Sequence, residues 1–189
     1  MIMLVLGSLS PRRRELMRLI TPDFDVDAPD CGEDIPFGTA PREAVEILAL
    51  RKARAVLDHR GADICIGADT VVAVDGVILG KPCDEAHAAQ MLGLLSGKTH
   101  CVYTGVAIVN NKKQAVFSCA THVHFRALSP DEIAAYIATG EPMDKAGSYG
   151  IQGRGALFIS GIEGDYYNVM GLPVCMLNQR LIEFMRREL

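Results

Sequence analysis

Apolar and polar positions follow two different periods along this chain, and the changes of period mark its elements. The short apolar run MLVLG predicts a buried strand near the start. Ser10-Pro11 then reads as a helix start, with serine as the cap and proline in the first turn. Leu16, Leu19 and Ile20 supply that helix with an apolar stripe. Phe24-Asp25-Val26 predicts a second strand, and the turn-rich APDCGEDIPFG of residues 28–38 predicts a loop. Val45, Leu48, Lys52, Ala55 and Val56 stand near helical spacing and predict a helix from about Ala40 to His59.

The next block, ADICIGADTVVAVDGVILGKP, begins as a strand, and Asp75-Gly76 between VVAV and VIL predicts a hairpin. Asp84 is placed to cap a helix running to about Leu95, stopped by Ser96-Gly97. HCVYTGVAIVN and QAVFSCATHVHF read as two long strands joined by Asn111-Lys112-Lys113. SPDEI is a capping box on Ser129 and Glu132, opening a helix that ends at Gly140. A glycine-dense tract from Gly147 to Gly171 leads into a final amphipathic helix, from about Leu172 to the C-terminus. Strands and helices interleave, so the class is α/β, and the hairpins make the sheet mixed. With no internal repeat and no low-complexity linker, any two lobes would share one sheet.

Composition narrows the possibilities. The chain has 189 residues, 49% hydrophobic and 22% charged, with a formal net charge of −4. That is ordinary for a globular protein and enough for one substantial core or two small lobes. No run approaches the roughly 18 apolar residues of a membrane span, and MIMLVLGS has no basic leader. The expected location is cytoplasmic. The six cysteines include no C-x-x-C pair, which predicts free, buried thiols and not a zinc site. His122 and His124 read as exposed strand histidines. An acidic balance opposes duplex DNA binding. Aromatic content of 6% opposes a single-strand binder using Tyr149, Tyr166 and Tyr167 as stacking platforms. Neither opposes a small anionic ligand held by a few local cations.

Familiar phosphate and nucleophile motifs fail on inspection. SGKT at 96–99 ends like a P-loop, but Leu92 occupies the position of the required first glycine. Gly153-Arg154-Gly155 has Phe158 where a dinucleotide fingerprint needs its third glycine. No G-x-S-x-G elbow is present. Cys31, in a polar loop, has no activating base nearby in sequence.

Charged residues at element ends are more informative. Arg12, Arg13 and Arg14 fall in the first turn of a helix, where cations oppose the macrodipole by about 0.3–1 kcal/mol each when exposed. Helix stability alone does not ask for them; a phosphate bound at the helix start does. A solvated basic face is the other reading. Asp69 interrupts an otherwise apolar strand, where a carboxylate is costly unless paired or metal-bound. It is either a strand-end turn residue or a metal-linked base. Glu33 offers a second carboxylate. Lys52 lies on an apolar helical face and Lys81 between Gly80 and Pro82; either lysine could snorkel to water. Taken together, these cations and carboxylates have the composition that hydrolysis of a phosphoanhydride requires.

SLSPRRREL, GADTVV, LGKP, LSGKTH, GEPMDKAGSYGIQG and GDYYNVMGLP occur in this order. As a set they closely resemble the Maf family of nucleotide pyrophosphatases. The resemblance implies one Maf-like domain over residues 1–189: mixed α/β, ITPase-like, with an elongated sheet, flanking helices and a cleft between two lobes. It implies hydrolysis of nucleoside triphosphates between the α and β phosphates, with a divalent cation, Mg or Mn. It places Asp69 as proton acceptor and Ser8, Arg13, Glu33, Lys52 and Lys81 around the phosphates and the metal, with Glu33 and Asp69 as metal ligands. Arg12, Thr70 and Gln152 fall where the family sets base preference. The DKAGSYGIQG form resembles the branch preferring dTTP and UTP; another branch favours 7-methyl-GTP. A homodimer, removal of modified nucleotides and a link to septum inhibition are further implications. Arg14, about 100° around the helix from its neighbour, is expected to point to solvent. The rival reading is a regulator that binds nucleotides without cleaving them.

Overall fold

The computed structural model describes residues 3–186. Seven strands form one mixed sheet in the order β2-β1-β3-β5-β6-β7, with β4 paired to β3. The strands are β1 (Leu4–Gly7), β2 (Asp25–Val26), β3 (Ile64–Val74), β4 (Val77–Leu79), β5 (Thr99–Val109), β6 (Gln114–Phe125) and β7 (Ile159–Glu163). β1 is parallel to both β2 and β3, whereas β3–β4 and β6–β7 are antiparallel. The helices are α1 (Pro11–Arg18), α2 (Pro41–Arg60), α3 (Glu85–Leu95), α4 (Pro130–Ile137), α5 (Tyr166–Met170) and α6 (Val174–Arg186). No helix among the described residues is long and apolar enough to cross a membrane.

The chain forms two compact units. Among the described residues, the first comprises residues 3–69, Thr104–Cys119 and residues 171–186; the second comprises Thr70–Tyr103 and Ala120–Met170. Strands β3, β5 and β6 each contribute to both.

In the first unit α2 packs unusually close to the sheet. A Cβ on Gly67 would stand 2.1 Å from the Ala49 carbonyl oxygen, and one on Gly105 would stand 2.3 Å from that of Val45. Ala49, Ala53, Val56, Cys65 and Ala107 form the core at this seam, and the small residues permit the approach. Gly67 and Asp69 lie two apart on β3, so they face the same side, toward α2. Substituting Gly67→Ala puts a methyl against helix backbone, which no rotamer change relieves. We expect at least about 3 kcal/mol of destabilisation, the upper end of overpacking costs, read as a lower urea midpoint. An unchanged midpoint would mean that α2 can retreat without cost.

The second unit is built around Val72, Leu92, Leu95, Val102, Val123 and a set of rings. Phe125 meets Tyr149 edge-on at 4.7 Å between centroids, and Tyr136 meets Phe158 at 4.9 Å. The His100 Nε2 and the Tyr149 hydroxyl lie 2.6 Å apart in this core. Burial, reinforced by His124, pushes the His100 pKa down to about 4, so the ring is neutral at physiological pH.

Most local signals are realised where the sequence places them. Ser10, Asp84 and Ser129 are side-chain N-caps, and the capping box at Ser129 and Glu132 forms in full. Asp75 and Gly76 turn the β3–β4 hairpin with φ of 49° and 79°, the left-handed pair that a two-residue turn requires. Other expectations need correction. The glycine-dense tract and the residues just before it contain three 3-10 turns (Glu141–Asp144, Ala146–Ser148, Gly153–Phe158), β7 and α5; these pieces are too short to show a period. The last helix begins at Val174, after Pro173, and its expected final residues 187–189 lie outside the described residues. Tyr149 is buried and is no stacking platform. All six thiols are free, but Cys83 and Cys175 are exposed, because one follows Pro82 in a turn and the other opens α6. Arg14 is half-buried, as are Arg12 and Arg13.

Candidate active site

The first unit brings Ser8, Arg13, Glu33, Lys52 and Asp69 together. β1 ends at Gly7, and the chain turns at once, the Ser8 amide donating to the Leu6 carbonyl at 2.9 Å. Ser8 is buried, and its Oγ accepts from the Ser10 amide at 3.3 Å and from Arg13 Nη1 at 3.4 Å. Ser10 Oγ in turn accepts from the Arg13 amide, capping α1. No acidic residue occupies the first turn of this helix.

Backbone carbonyls hold the Arg13 side chain in place. Its Nε donates to the Gly171 carbonyl at 2.8 Å, and its Nη1 donates to the Ala68 carbonyl at 3.0 Å. Desolvation lowers the Arg13 pKa and Arg12 adds to that effect, while Asp69 and Glu33 work against it. A guanidinium this far above neutrality stays charged. It is a fixed cation next to the strand position that precedes Asp69.

Asp69 sits in the middle of β3 and is buried, so the strand-end reading is excluded. Lys52, from the closely packed α2, donates to Asp69 Oδ1 at 2.6 Å and pairs with Glu33 Oε1 at 2.8 Å. Desolvation opposes the Lys52 charge, but the carboxylates of Asp69 and Glu33 outweigh it and raise its pKa above the ordinary value. One ammonium thus bridges a buried carboxylate and an exposed loop carboxylate. Arg51 Nη1, beside it on α2, donates to the Asp34 carbonyl and ties the same loop down.

Chemically, the arrangement offers two fixed cations for a polyanion, a buried carboxylate able to accept a proton, and two hard oxygen donors for a cation. The donor set suits Mg²⁺ shared with a phosphate chain. No group of three or more His, Cys, Asp or Glu able to hold a metal occurs among the described residues, so an ion seated here would complete its shell with water and ligand oxygens. Cys31 does not fit the role of nucleophile: burial pushes its thiol above the ordinary value, against the opposing field of Lys52.

The remaining sequence-predicted residues are distributed differently. Arg12 is on α1, adjacent to Arg13. Thr70 follows Asp69 on β3 and belongs to the second unit with Lys81 and Gln152. Lys81 is exposed between β4 and α3, and the preceding Gly80 carbonyl accepts from the Gly147 amide at 3.0 Å. Gln152 is exposed just before the third 3-10 turn. Sequence reasoning missed the carbonyls of Ala68 and Gly171 as anchors of Arg13. Backbone acceptors have no residue signature, and Gly171 is 158 positions away in sequence.

Comparison with known proteins finds relatives over nearly the whole chain. A dTTP/UTP pyrophosphatase from Symbiobacterium thermophilum is 52% identical over 181 residues, covering 96% of this chain and 93% of that protein. One from Bacillus mycoides is 48% identical over 96% of this chain and 95% of its own length. A crystal structure of a nucleoside-triphosphatase/dITP/XTP pyrophosphatase from Mycobacterium abscessus aligns with a TM-score of 0.44 at 19% identity, over 74% of this chain and 95% of that one. The family model for Maf-like proteins matches residues 3–184. That span takes in the serine–arginine turn, the buried strand aspartate and the lysine that pairs with it, and the chain belongs to the Maf family.

Proposed function

We propose that this protein is a nucleoside triphosphate pyrophosphatase, a hydrolase acting on an acid anhydride, which cleaves dTTP and UTP between the α and β phosphates to release the monophosphate and pyrophosphate. The observation that carries this is the Lys52 bridge: a buried strand carboxylate held at 2.6 Å by an ammonium that also reaches Glu33. The near 50% identity to dTTP/UTP pyrophosphatases over almost the full chain supports the substrate class.

In this reading Arg13, Lys52 and Lys81 are counter-charges for the phosphate chain, and Ser8 contributes its hydroxyl at the α1 start. Arg13 is preorganised by its carbonyl anchors, so little reorganisation is needed when phosphate arrives. Asp69 accepts the proton of the attacking water, and Lys52 fixes the direction of its carboxylate. Glu33 and Asp69 would hold a divalent cation, Mg or Mn, which when bound neutralises phosphate charge. The six free cysteines support a reducing, cytoplasmic setting.

Base choice is assigned to Arg12, Thr70 and Gln152. A pyrimidine O4 accepts hydrogen bonds that Gln152 and Arg12 can donate, whereas the cytosine amino group would face donors and leave them unpaired. The expected result is a kcat/KM for dTTP and UTP at least about tenfold above that for dCTP, dATP or 7-methyl-GTP. A side-by-side panel of pyrophosphate release decides it. Preference for 7-methyl-GTP would assign the chain to the other branch, and no turnover of any triphosphate would leave a nucleotide-binding regulator.

A further inference from the structure

The stretch from Gly150 to Gly155 contains Gln152 and enters the third 3-10 turn at Gly153. Between Ile151 and Phe158 no apolar side chain is buried; Ala156 and Leu157 are exposed. A pair of polar side chains from outside it holds both of its ends. The Gly150 amide donates to the Tyr136 hydroxyl at 3.3 Å, and that hydroxyl donates to Glu141 Oε1 at 2.9 Å. At the far end, the Arg154 amide donates to Glu141 Oε2 at 3.0 Å and the Gly155 amide to Oε1 at 3.2 Å. Both ends of the stretch therefore converge on one phenol–carboxylate pair, with exposed Gln152 between them.

The glycines match this closure. Gly153 has φ of 71°, and a Cβ there would stand 2.8 Å from Glu141 Oε2. A Cβ on Gly155 would stand 2.3 Å from the Gly150 carbonyl oxygen and 2.9 Å from the Tyr136 hydroxyl. Glu141 itself is held by Lys145, whose Nζ donates to its backbone carbonyl at 2.5 Å. Burial opposes its charge, but the two amides, the phenol and Lys145 outweigh this and keep its pKa below the ordinary value. An ionised carboxylate accepts only, which suits three converging donors.

We propose that Glu141 and Tyr136 are positioning residues for base selection: they clamp the Gly150–Gly155 stretch so that the Gln152 amide is presented in one orientation to the pyrimidine ring. The clamp rests on the assignment of Gln152 to base choice. Neither residue is among those assigned to the phosphates, so in this reading both act through Gln152.

The test compares wild type, Gln152→Ala, Glu141→Gln, Tyr136→Phe and the double variant Glu141→Gln/Gln152→Ala, by pyrophosphate release from dTTP and dCTP. Glu141→Gln turns one acceptor into a donor facing a backbone amide. Tyr136→Phe removes the hydroxyl and keeps the ring against Phe158, so it serves if the Glu141 variant does not fold. We expect each single variant to lower the dTTP:dCTP ratio of kcat/KM by about tenfold, through a higher KM for dTTP and with kcat within about threefold. The double variant should be no worse than Gln152→Ala, the non-additivity expected of residues acting as a unit. A wild-type ratio in both clamp variants, alongside a collapsed ratio in Gln152→Ala, overturns the clamp and leaves the base assignment standing. A parallel loss of kcat on both nucleotides also overturns it, since that is the mark of a merely structural contact. If Gln152→Ala keeps full discrimination, or wild type does not cleave dTTP, the base assignment itself fails and the clamp falls with it.

Discussion

Asp69→Asn is expected to lower kcat for pyrophosphate release from dTTP by about 10³-fold or more while leaving the protein folded. A positioned general base contributes about 10²–10⁴ to rate, and here the same group is also assigned to the metal, so the effect belongs near the upper end. Asparagine has nearly the same shape, and its amide oxygen can still accept from Lys52. The buried position is therefore filled and hydrogen-bonded in the variant, and the change in stability is confined to the difference between a charged and a neutral acceptor. Steady-state turnover with Mg²⁺ and a thermal melt, measured on the same preparation, separate chemistry from folding. Full turnover in a folded Asp69→Asn protein would remove Asp69 from the role of base.

Lys52→Met is expected to show the second-largest loss, about 10²–10³-fold in kcat/KM, comparable to removal of a preorganised charge-stabilising donor. Methionine fills the space of the lysine stem but leaves Asp69 and Glu33 without their shared cation. A hydrogen bond to a charged group contributes about 1.5–3 kcal/mol. The Glu33 arm adds little to this, because its side chain is 72% exposed and water screens it. The pH dependence gives an independent check. The folded-state pKa of Lys52 lies above its ordinary 10.5, so the pair contributes stability that is fully present below 10.5 and is lost as pH rises through the folded value. Urea midpoints from about pH 8 to about pH 11.5 should fall more steeply at the alkaline end for wild type than for Lys52→Met. Equal slopes would mean that Lys52 is not held by these carboxylates in solution.

Legibility of the site differs from one residue to the next. Arg13 is conspicuous because it stands where helix physics argues against it, and Asp69 because it interrupts an apolar strand. Both are local contradictions, visible within about ten residues. Lys52 is ambiguous in the same view. A lysine on an apolar helical face can equally snorkel to water, and only its contact with Asp69 decides between the two. Glu33 has no local signal, since acidic residues in loops are common. The tract from Gly140 to Gly171 is the least legible part. Its 3-10 turns, short strand and five-residue helix are too brief to carry a period, and Glu141 and Tyr136 hold it from positions that look unremarkable in the sequence.

By itself, the sequence determined the α/β alternation, the caps at Ser10, Asp84 and Ser129, the Asp75-Gly76 hairpin, and which charged residues were out of place. These depend on side-chain periodicity and on hydrogen bonds between residues three or four apart, so each is encoded within a few positions. Only the tertiary structure decided that Lys52 meets Asp69, that Arg13 is anchored on Ala68 and Gly171, and that Glu141 closes the Gln152 stretch. Each joins segments distant in the sequence, and the Lys52–Asp69 contact depends on how near α2 can come to β3. That distance is set by the absent side chain of Gly67 against backbone contributed by Ala49 and Ala53, a steric relation between segments that no single segment encodes.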